Sequence, residues 1–166
     1  MWTNRQRIAM PLRVYFSHPI RGTKGAAATD EDMAHNIERA AAVVKALRLE
    51  FGPALEIYFP GEMDEFVQKA FRKGYITEQQ ILDIDCDIIA DRDAMLIWTW
   101  EDEISGGMEV EFEYTLNGGI PHVWVVTDSY NEDGIPVDRI NYEVMRRSIG
   151  VCLDIKALRI IQGKQQ

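Results

Sequence analysis

Residues 105–118 read SGGMEVEFEYTLNG, and whether they form a strand or a helix decides the fold. Glutamates alternate with apolar side chains over 108–114, and this period of two is typical of a half-buried strand. The segment lies between two apolar runs, 94–98 (AMLIW) and 122–127 (HVWVVT), that both look like buried strands. Parallel neighbours in a sheet need a crossover of a dozen or more residues, usually a helix. The topology therefore predicts a helix here, ending at Gly118.

Two further apolar runs, 12–17 (LRVYFS) and 54–59 (ALEIYF), are bounded by proline, glycine or charged residues and also predict strands. A short fifth strand is predicted near 149–152. Strands that alternate with helices are typical of a parallel sheet covered by helices. We therefore expect an α/β fold over residues 1–166: a single-domain, doubly wound parallel sheet of about five strands, flavodoxin-like or Rossmann-like.

Capping residues mark where helices begin. Thr29 and Asp30 offer N-cap chemistry before NIERAAAVVKALR, which has apolar residues at helical spacing. Thr77 and Gln80 form a capping box before the isoleucine-rich segment that leads into the third strand. A shorter helix is predicted at about 62–73.

The composition is that of an acidic globular protein, with 46% apolar and 27% charged residues in a chain of 166. Lysine and arginine number 18 against 27 aspartates and glutamates, so the net charge is -9. A nucleic acid polymer would be repelled and is not expected as a partner. A small anion such as a nucleotide can still bind, because backbone amides and one arginine suffice to form a local site.

Cys86 and Cys152 have no spacing that suggests zinc or a disulfide framework, so they are interpreted as core residues and no metal is expected. The first residues, MWTNRQRIAMPLR, carry scattered charges and match neither a signal peptide nor a membrane span. We expect a cytoplasmic protein with no membrane partner.

Two short stretches predict parts of a ligand site, although each has a structural alternative. YFSHPIRGTKG, at 15–25, follows the first strand, where backbone amides, Arg21 and the flexible Gly22 suit a phosphate; a surface loop with an arginine is the alternative. Asp85 precedes the third strand and is expected to lie above the strand ends; an aspartate on a solvated helix face is the alternative.

The third stretch is the one quoted first. If 105–118 is a helix, its Ser-Gly-Gly start lies at the carboxyl end of a parallel strand, where open α/β sheets bind ligands. Glu111 then lies in the first turns and faces the cleft. The helix dipole keeps such a carboxylate ionised, which suits a nucleophile better than an acid.

Together these residues resemble the nucleoside 2-deoxyribosyltransferase superfamily over about residues 12–128. Within it, the pattern is most similar to the 2'-deoxynucleoside 5'-monophosphate N-glycosidases. Tyr15, Arg21 and Gly22 match the family's phosphate loop, Asp85 its catalytic aspartate and Glu111 its nucleophilic glutamate.

The resemblance also suggests a branch and an assembly. Ser105 stands where the transferases acting on free nucleosides have an aspartate, and Gly107 follows it. A hydroxyl and an amide can donate to a phosphate, so a 5'-monophosphate substrate is implied. Asn141 is similar to the asparagine that family members lend to a neighbouring subunit's site, which implies a homodimer or a higher homo-oligomer.

The chemistry implied by the resemblance is that of a retaining glycosidase. Glu111 would attack C1' of the sugar, Asp85 would transfer a proton to or from the base, and no cofactor would be needed. Two alternatives remain open: a deoxyribosyltransferase that exchanges bases, and a nucleotide-binding or NAD-cleaving relative. Four aromatic residues were interpreted as base-pocket or core residues: Phe59, Phe66, Trp98 and Trp100.

Overall fold

The computed structural model describes residues 10–100, 104–130 and 136–163, which build a parallel sheet between helices. The sheet has four parallel strands in the order β2-β1-β3-β4: β1 (Leu12–Ser17), β2 (Leu55–Tyr58), β3 (Ala94–Ile97) and β4 (His122–Trp124). The described α-helices are α1 (Asp30–Phe51), α2 (Asp64–Arg72), α3 (Glu78–Ala90), α4 (Gly106–Asn117) and α5 (Tyr142–Gly163). Short 3-10 helices cover Gly22–Ala27, Gly52–Ala54 and Pro60–Met63.

The strand order creates a switch point beside β1. Strand β1 pairs with β2 on one side, with Leu12 opposite Leu55, and with β3 on the other side, with Val14 opposite Ala94. At such a switch point a crevice opens at the carboxyl ends of β1 and β3. Open α/β sheets usually bind their ligands in this crevice. The predicted parallel α/β architecture, consistent with a Rossmann-like fold, is confirmed at this level.

The predicted fifth strand is wrong. Residues 149–152 lie inside α5, where Met145, Ile149 and Cys152 are buried at a spacing of four and three residues. That is the spacing of one helix face. The strand prediction rested on a short run of apolar residues, whereas the helical pattern is visible only over a longer stretch. In the described chain, β5 (Thr127–Tyr130) and β6 (Pro136–Ile140) instead form a separate antiparallel pair.

The crossover helix predicted from topology is confirmed as α4. It ends at Gly118, and it buries Met108, Glu111 and Thr115 while Glu109 is exposed. The alternation along the sequence was therefore misleading, because the buried positions follow a spacing of three and four. The capping boxes at the starts of α1 and α3 are also observed.

Side chains of β1 alternate between two cores. Val14 and Phe16 join the larger apolar cluster, which is closed by α1 and α5. Tyr15 points to the opposite face, into a smaller cluster with Ile89 of α3 and Met108 of α4. This alternation, which follows from the two-residue period of a strand, decides which side chains can meet α3 and α4.

The amino end of the sheet is fastened by Asp93, just before β3. Its Oδ2 accepts a hydrogen bond of 2.8 Å from the Arg13 amide and one of 2.7 Å from Lys156 Nζ of α5. Lys156 Nζ also donates to the Pro11 carbonyl oxygen. Asp93 is therefore a structural link at the edge opposite to the crevice. Across the described ranges, no helix combines the length and apolar character needed to cross a membrane.

Candidate active site

Glu111 is a buried carboxylate held by two hydroxyls from β1. It is 7% exposed, and its Oε1 accepts a hydrogen bond of 2.7 Å from the Tyr15 hydroxyl. Its Oε2 accepts a hydrogen bond from the Ser17 hydroxyl. Tyr15 and Ser17 are two residues apart on the same strand, so both face α4. The carboxyl group is thus fixed at both oxygens near the carboxyl end of β1.

Asp85 of α3 lies near this carboxylate and the same tyrosine. The charge of Asp85 raises the pKa of Tyr15 and that of Glu111, so the three side chains are electrostatically coupled. A phenol has one proton to donate, and Tyr15 donates it to Glu111 Oε1. Two carboxyl groups and one tyrosine therefore form one electrostatically coupled unit.

Burial changes the ionisation of both acids. Desolvation raises the pKa of Glu111 to about 7, opposed by the hydrogen bonds from Ser17 and Tyr15. Desolvation also raises the pKa of Asp85 to about 6, opposed by Tyr15. Burial and the charge of Glu111 raise the pKa of Tyr15 well above its ordinary value, so the phenol stays protonated. The two carboxyls therefore titrate near neutral pH as a coupled pair in which Glu111 has the higher pKa, so burial outweighs the ionisation predicted from the helix dipole.

Tyr58, the last residue of β2, is the aromatic residue that lies next to this unit. Its ring stacks on that of Tyr15 with centroids 5.7 Å apart. Burial and the charge of Asp85 raise the Tyr58 pKa, while Arg92, whose guanidinium lies 5.4 Å from the ring centroid, lowers it. Sequence reasoning missed both Tyr58 and Ser17. Ser17 could have been found from the sequence, because it lies two residues after Tyr15 on a predicted strand and therefore faces the same side of the sheet.

The loop after β1 carries the residues predicted to bind phosphate. Arg21 is half-buried, and its Nη1 lies 3.2 Å from Glu78 Oε1 at the start of α3. Gly22 is buried and has a φ of 60°, a left-handed conformation that favours glycine. Asn36 of α1 donates a 2.9 Å hydrogen bond to the Ile20 carbonyl oxygen and holds the loop in place. The loop therefore places Arg21 beside the amino end of α3.

The amino end of α4 lies at the same edge. Ser105 is the extended N-cap residue, and its side chain makes no capping hydrogen bond. The first intrahelical bond at this end is donated by the Glu109 amide to the Ser105 carbonyl oxygen at 2.9 Å. The amides before Glu109, including that of Gly107, thus have no helical partner.

Close packing of α4 on α3 brings the two acids together. A Cβ added to Gly107 would lie 3.7 Å from Leu82 Cδ2 of α3. Glu111 is one turn beyond Gly107 on α4, and Asp85 is one turn beyond Leu82 on α3. The same contact therefore aligns the two acidic residues and places both helix starts near the carboxyl edge of the sheet.

The aromatic residues proposed for a base pocket lie elsewhere. Phe59 and Trp98 are buried in the apolar cluster on the α1 side of the sheet, away from Glu111. Trp100 packs against that cluster and lies 4.0 Å below the Arg39 guanidinium. Phe66 of α2 is 76% exposed. Of the two interpretations of Phe59 and Trp98, core packing is therefore the one observed.

Asn141 has a structural role in this chain. Its Oδ1 accepts a 3.2 Å hydrogen bond from the Val144 amide at the start of α5. Its own amide donates to the Val126 carbonyl oxygen at 2.9 Å. Because α5 packs on the face opposite to Glu111, Asn141 does not join the site of its own chain. Its contribution to a neighbouring subunit stays a prediction.

A groove of about 800 Å³ lies at the edge strand β4, between α5 and the end of α4. Its walls are mostly apolar, with Trp124, Val144 and Val151 among them. It contains none of the predicted site residues. The groove is therefore a surface feature separate from the carboxyl pair. The described residues also include no group of three or more histidine, cysteine, aspartate or glutamate side chains arranged to hold a metal ion.

Comparison with known proteins supports the fold alone. No protein-family model and no curated protein sequence match the chain. Among solved structures, it is similar to a crystal structure of a conserved protein from Enterococcus faecalis V583, with a TM-score of 0.50 and 17% sequence identity. The match covers 86% of this chain and 88% of that one. At this identity the likeness concerns the architecture and carries no information about a ligand.

Proposed function

We propose that the protein hydrolyses the N-glycosidic bond of a nucleoside 5'-monophosphate, releasing the free base and a sugar 5-phosphate. The observation that carries this proposal is the buried Glu111 carboxylate, held at both oxygens and paired with Asp85, at the carboxyl end of a parallel sheet. A carboxylate costs free energy when it is buried, and groups with strongly raised pKa values in such positions are typical of catalytic sites.

The reaction would proceed in two steps at the anomeric carbon. Glu111 attacks C1', the bond from C1' to the base nitrogen breaks, and its electron pair leaves with the base, which takes the proton of Asp85. Water then attacks C1' of the glycosyl ester, gives one proton to Asp85 and regenerates the Glu111 carboxylate. The overall result is retention at C1' through an oxocarbenium-like transition state.

Phosphate recognition would come from the neighbouring loop and helix start. The Arg21 guanidinium, the Ser105 hydroxyl and the Gly107 amide are donors at the same edge of the sheet, and a phosphate accepts from all three types. The phosphate is remote from the bond that breaks. Its binding energy would therefore position the sugar for attack by Glu111.

The test is release of free base, followed by chromatography, from a panel of ribo- and deoxynucleoside 5'-monophosphates and the matching nucleosides. We expect at least one monophosphate to be cleaved, and cleavage to fall by about a thousandfold or more in Glu111→Gln, as expected when a nucleophile is removed. Glu113→Gln is the matched control, because Glu113 is an exposed glutamate on the same helix. Absence of base release from every monophosphate would overturn the proposal.

A second arm separates hydrolysis from base exchange. The same reactions are run with an excess of a free acceptor base. Unchanged hydrolysis supports the N-glycosidase, whereas formation of a new nucleoside or nucleotide with little sugar phosphate identifies a deoxyribosyltransferase. Incubation with NAD, with nicotinamide release as the readout, tests the dinucleotide-cleaving alternative.

A further inference from the structure

The hydrogen bonds around the two acids are unequal. Glu111 receives one hydroxyl at each carboxyl oxygen, from Tyr15 and from Ser17. Tyr15 also interacts electrostatically with Asp85, whereas the Ser17 hydroxyl bonds to Glu111. Ser17 is therefore the hydroxyl that acts specifically on Glu111.

We propose that Ser17 is a positioning residue that holds Glu111 Oε2 and stabilises the ionised form of this carboxylate, the form that a nucleophile requires. A hydrogen bond donated to a carboxylate stabilises its charged form. Hydrogen bonds to charged groups contribute more than those to neutral ones, especially in a buried site. Ser17 is 1% exposed, so water does not compete for Glu111 Oε2.

The ionised form is the productive one for the proposed reaction, on which the kinetic part of the inference rests. A nucleophile must be ionised, and a protonated Glu111 cannot attack C1'. The Tyr15 and Ser17 hydroxyls each donate to one Glu111 oxygen, so both hydrogen bonds favour this form.

The other groups that face Glu111 differ from Ser17. Tyr15 of β1 also donates to Glu111, but it is electrostatically coupled to both acids. Cys86 of α3 is near both carboxyls, and burial and their charges raise its pKa, so the thiol stays neutral. Tyr58 of β2 is a raised-pKa phenol close to Asp85. Thr115 of α4 donates to the Glu111 backbone carbonyl oxygen at 2.8 Å and does not touch the carboxylate.

The direct experiment is an NMR titration of protein labelled with 13C at the glutamate side-chain carboxyl carbon. The Glu111 signal is identified by its absence in Glu111→Gln. We expect Ser17→Ala to raise the Glu111 midpoint by about one pH unit, the size of losing one charge-assisted hydrogen bond. Ser17→Cys should give a smaller shift, since a thiol is a weak donor. Thr115→Val, which removes a nearby buried hydroxyl, should give none.

An unchanged Glu111 midpoint in Ser17→Ala would overturn the inference, as would an equal shift in Thr115→Val. If Ser17→Ala does not fold, as judged by thermal melting, Ser17→Cys supplies the decisive titration. This arm does not depend on activity, so it gives a result even if no nucleotide is cleaved and the proposed function fails.

The kinetic arm applies to a nucleotide that the protein cleaves. In Ser17→Ala we expect kcat at pH 7 to fall about fivefold with KM little changed, and the acid limb of the kcat profile to move up by about one pH unit. Activity should therefore recover as the pH rises. A loss that is equal at every pH, or that falls on KM alone, would contradict a role in ionisation.

Discussion

The two faces of the sheet use the same strands but bury different chemistry. On the α1 and α5 side, Val14 and Phe16 of β1 belong to an apolar cluster of nineteen buried residues among those described. On the α3 and α4 side the corresponding cluster has five, and Tyr15 and Ser17 of β1 instead bond to Glu111. The larger apolar face supplies most of the hydrophobic stabilisation, which lets the other face contain two costly carboxyl groups.

Each face also buries a group whose pKa is shifted towards neutral or acidic pH, and these two groups, Glu111 and His18, make stability depend on pH in opposite directions. Burial raises the pKa of Glu111 on the polar face to about 7. Burial lowers the pKa of His18 on the apolar face to about 4. Glu111 therefore destabilises the fold at high pH and His18 at low pH. Substituting one of these two groups at a time should show how the other makes the free energy of unfolding depend on pH.

The largest expected effect is on the polar face, from Glu111→Gln. The folded pKa lies above the ordinary value of 4.5, so the folded state keeps a proton that the unfolded state loses as the pH rises from about 4.5 to about 7. The free energy of unfolding should therefore gain about 2 to 3 kcal/mol from the substitution at pH 8 and less than about 1 kcal/mol at pH 5. Urea unfolding at both pH values measures the difference.

Three other titratable side chains interact with Glu111 and respond to its removal: Tyr15, Asp85 and Cys86. Removing one negative charge also makes ionisation of Asp85 easier, which adds to the stabilisation at high pH. Glu113→Gln on the exposed side of α4 serves as the control. A stability gain that is the same at pH 5 and pH 8 would show that the buried charge is not its source.

The second effect, on the apolar face, should be slightly smaller and opposite in slope. His18 Nδ1 donates to the Pro19 carbonyl oxygen at 3.1 Å, and its buried Nε2 has no hydrogen-bond partner among the described residues. Its folded pKa is below the ordinary 6.5, so the unfolded state binds a proton that the folded state excludes as the pH falls. Wild type should lose about 2 kcal/mol from this group between pH 8 and pH 5.

His18→Phe tests this, because it keeps an aromatic ring against Phe59, whose centroid is 4.9 Å away, and cannot titrate. The stability of the variant relative to wild type should rise as the pH is lowered from 8 to 5. In the double variant with Glu111→Gln, both slopes should disappear. Parallel stability profiles for His18→Phe and wild type would mean that the histidine is hydrated or protonated in the folded state.

The parts of the fold that could be predicted were those with local or topological signals. An N-cap threonine placed the start of α1 and a capping box placed the start of α3, while the need for a crossover placed α4 against its local pattern. The strand predicted at 149–152 was wrong because a short apolar run has no period of its own. Only the wider pattern, with Met145, Ile149 and Cys152 on one face, identifies α5.

The site was partly predictable for a similar reason. Glu111 and Asp85 could be proposed from spacing along the chain, and the structure brings them together. Ser17 and Tyr58 become part of the site only when β1, β2 and the two helices pack, since the sequence does not specify which side chains meet across elements. Pocket and core could not be told apart for Phe59 and Trp98, because an aromatic residue at a strand end can face either side of the sheet.

The smallest expected effect concerns substrate binding at the edge shared by both faces. Arg21, the proposed phosphate ligand, is paired with Glu78, whose side chain is 66% exposed. A substrate phosphate would have to displace the Glu78 carboxylate from Arg21 or share Arg21 with it. Exposed ion pairs contribute at most about 1 kcal/mol, so Glu78→Gln should lower KM for a monophosphate by no more than about fivefold and leave KM for the matching nucleoside unchanged. Added salt should reduce the difference by screening the carboxylate.

Glu62→Gln, which removes the exposed partner of Arg48, is the matched control and should leave KM unaltered. An equal change in KM for nucleoside and monophosphate would indicate that Glu78 acts on the loop and not on the phosphate.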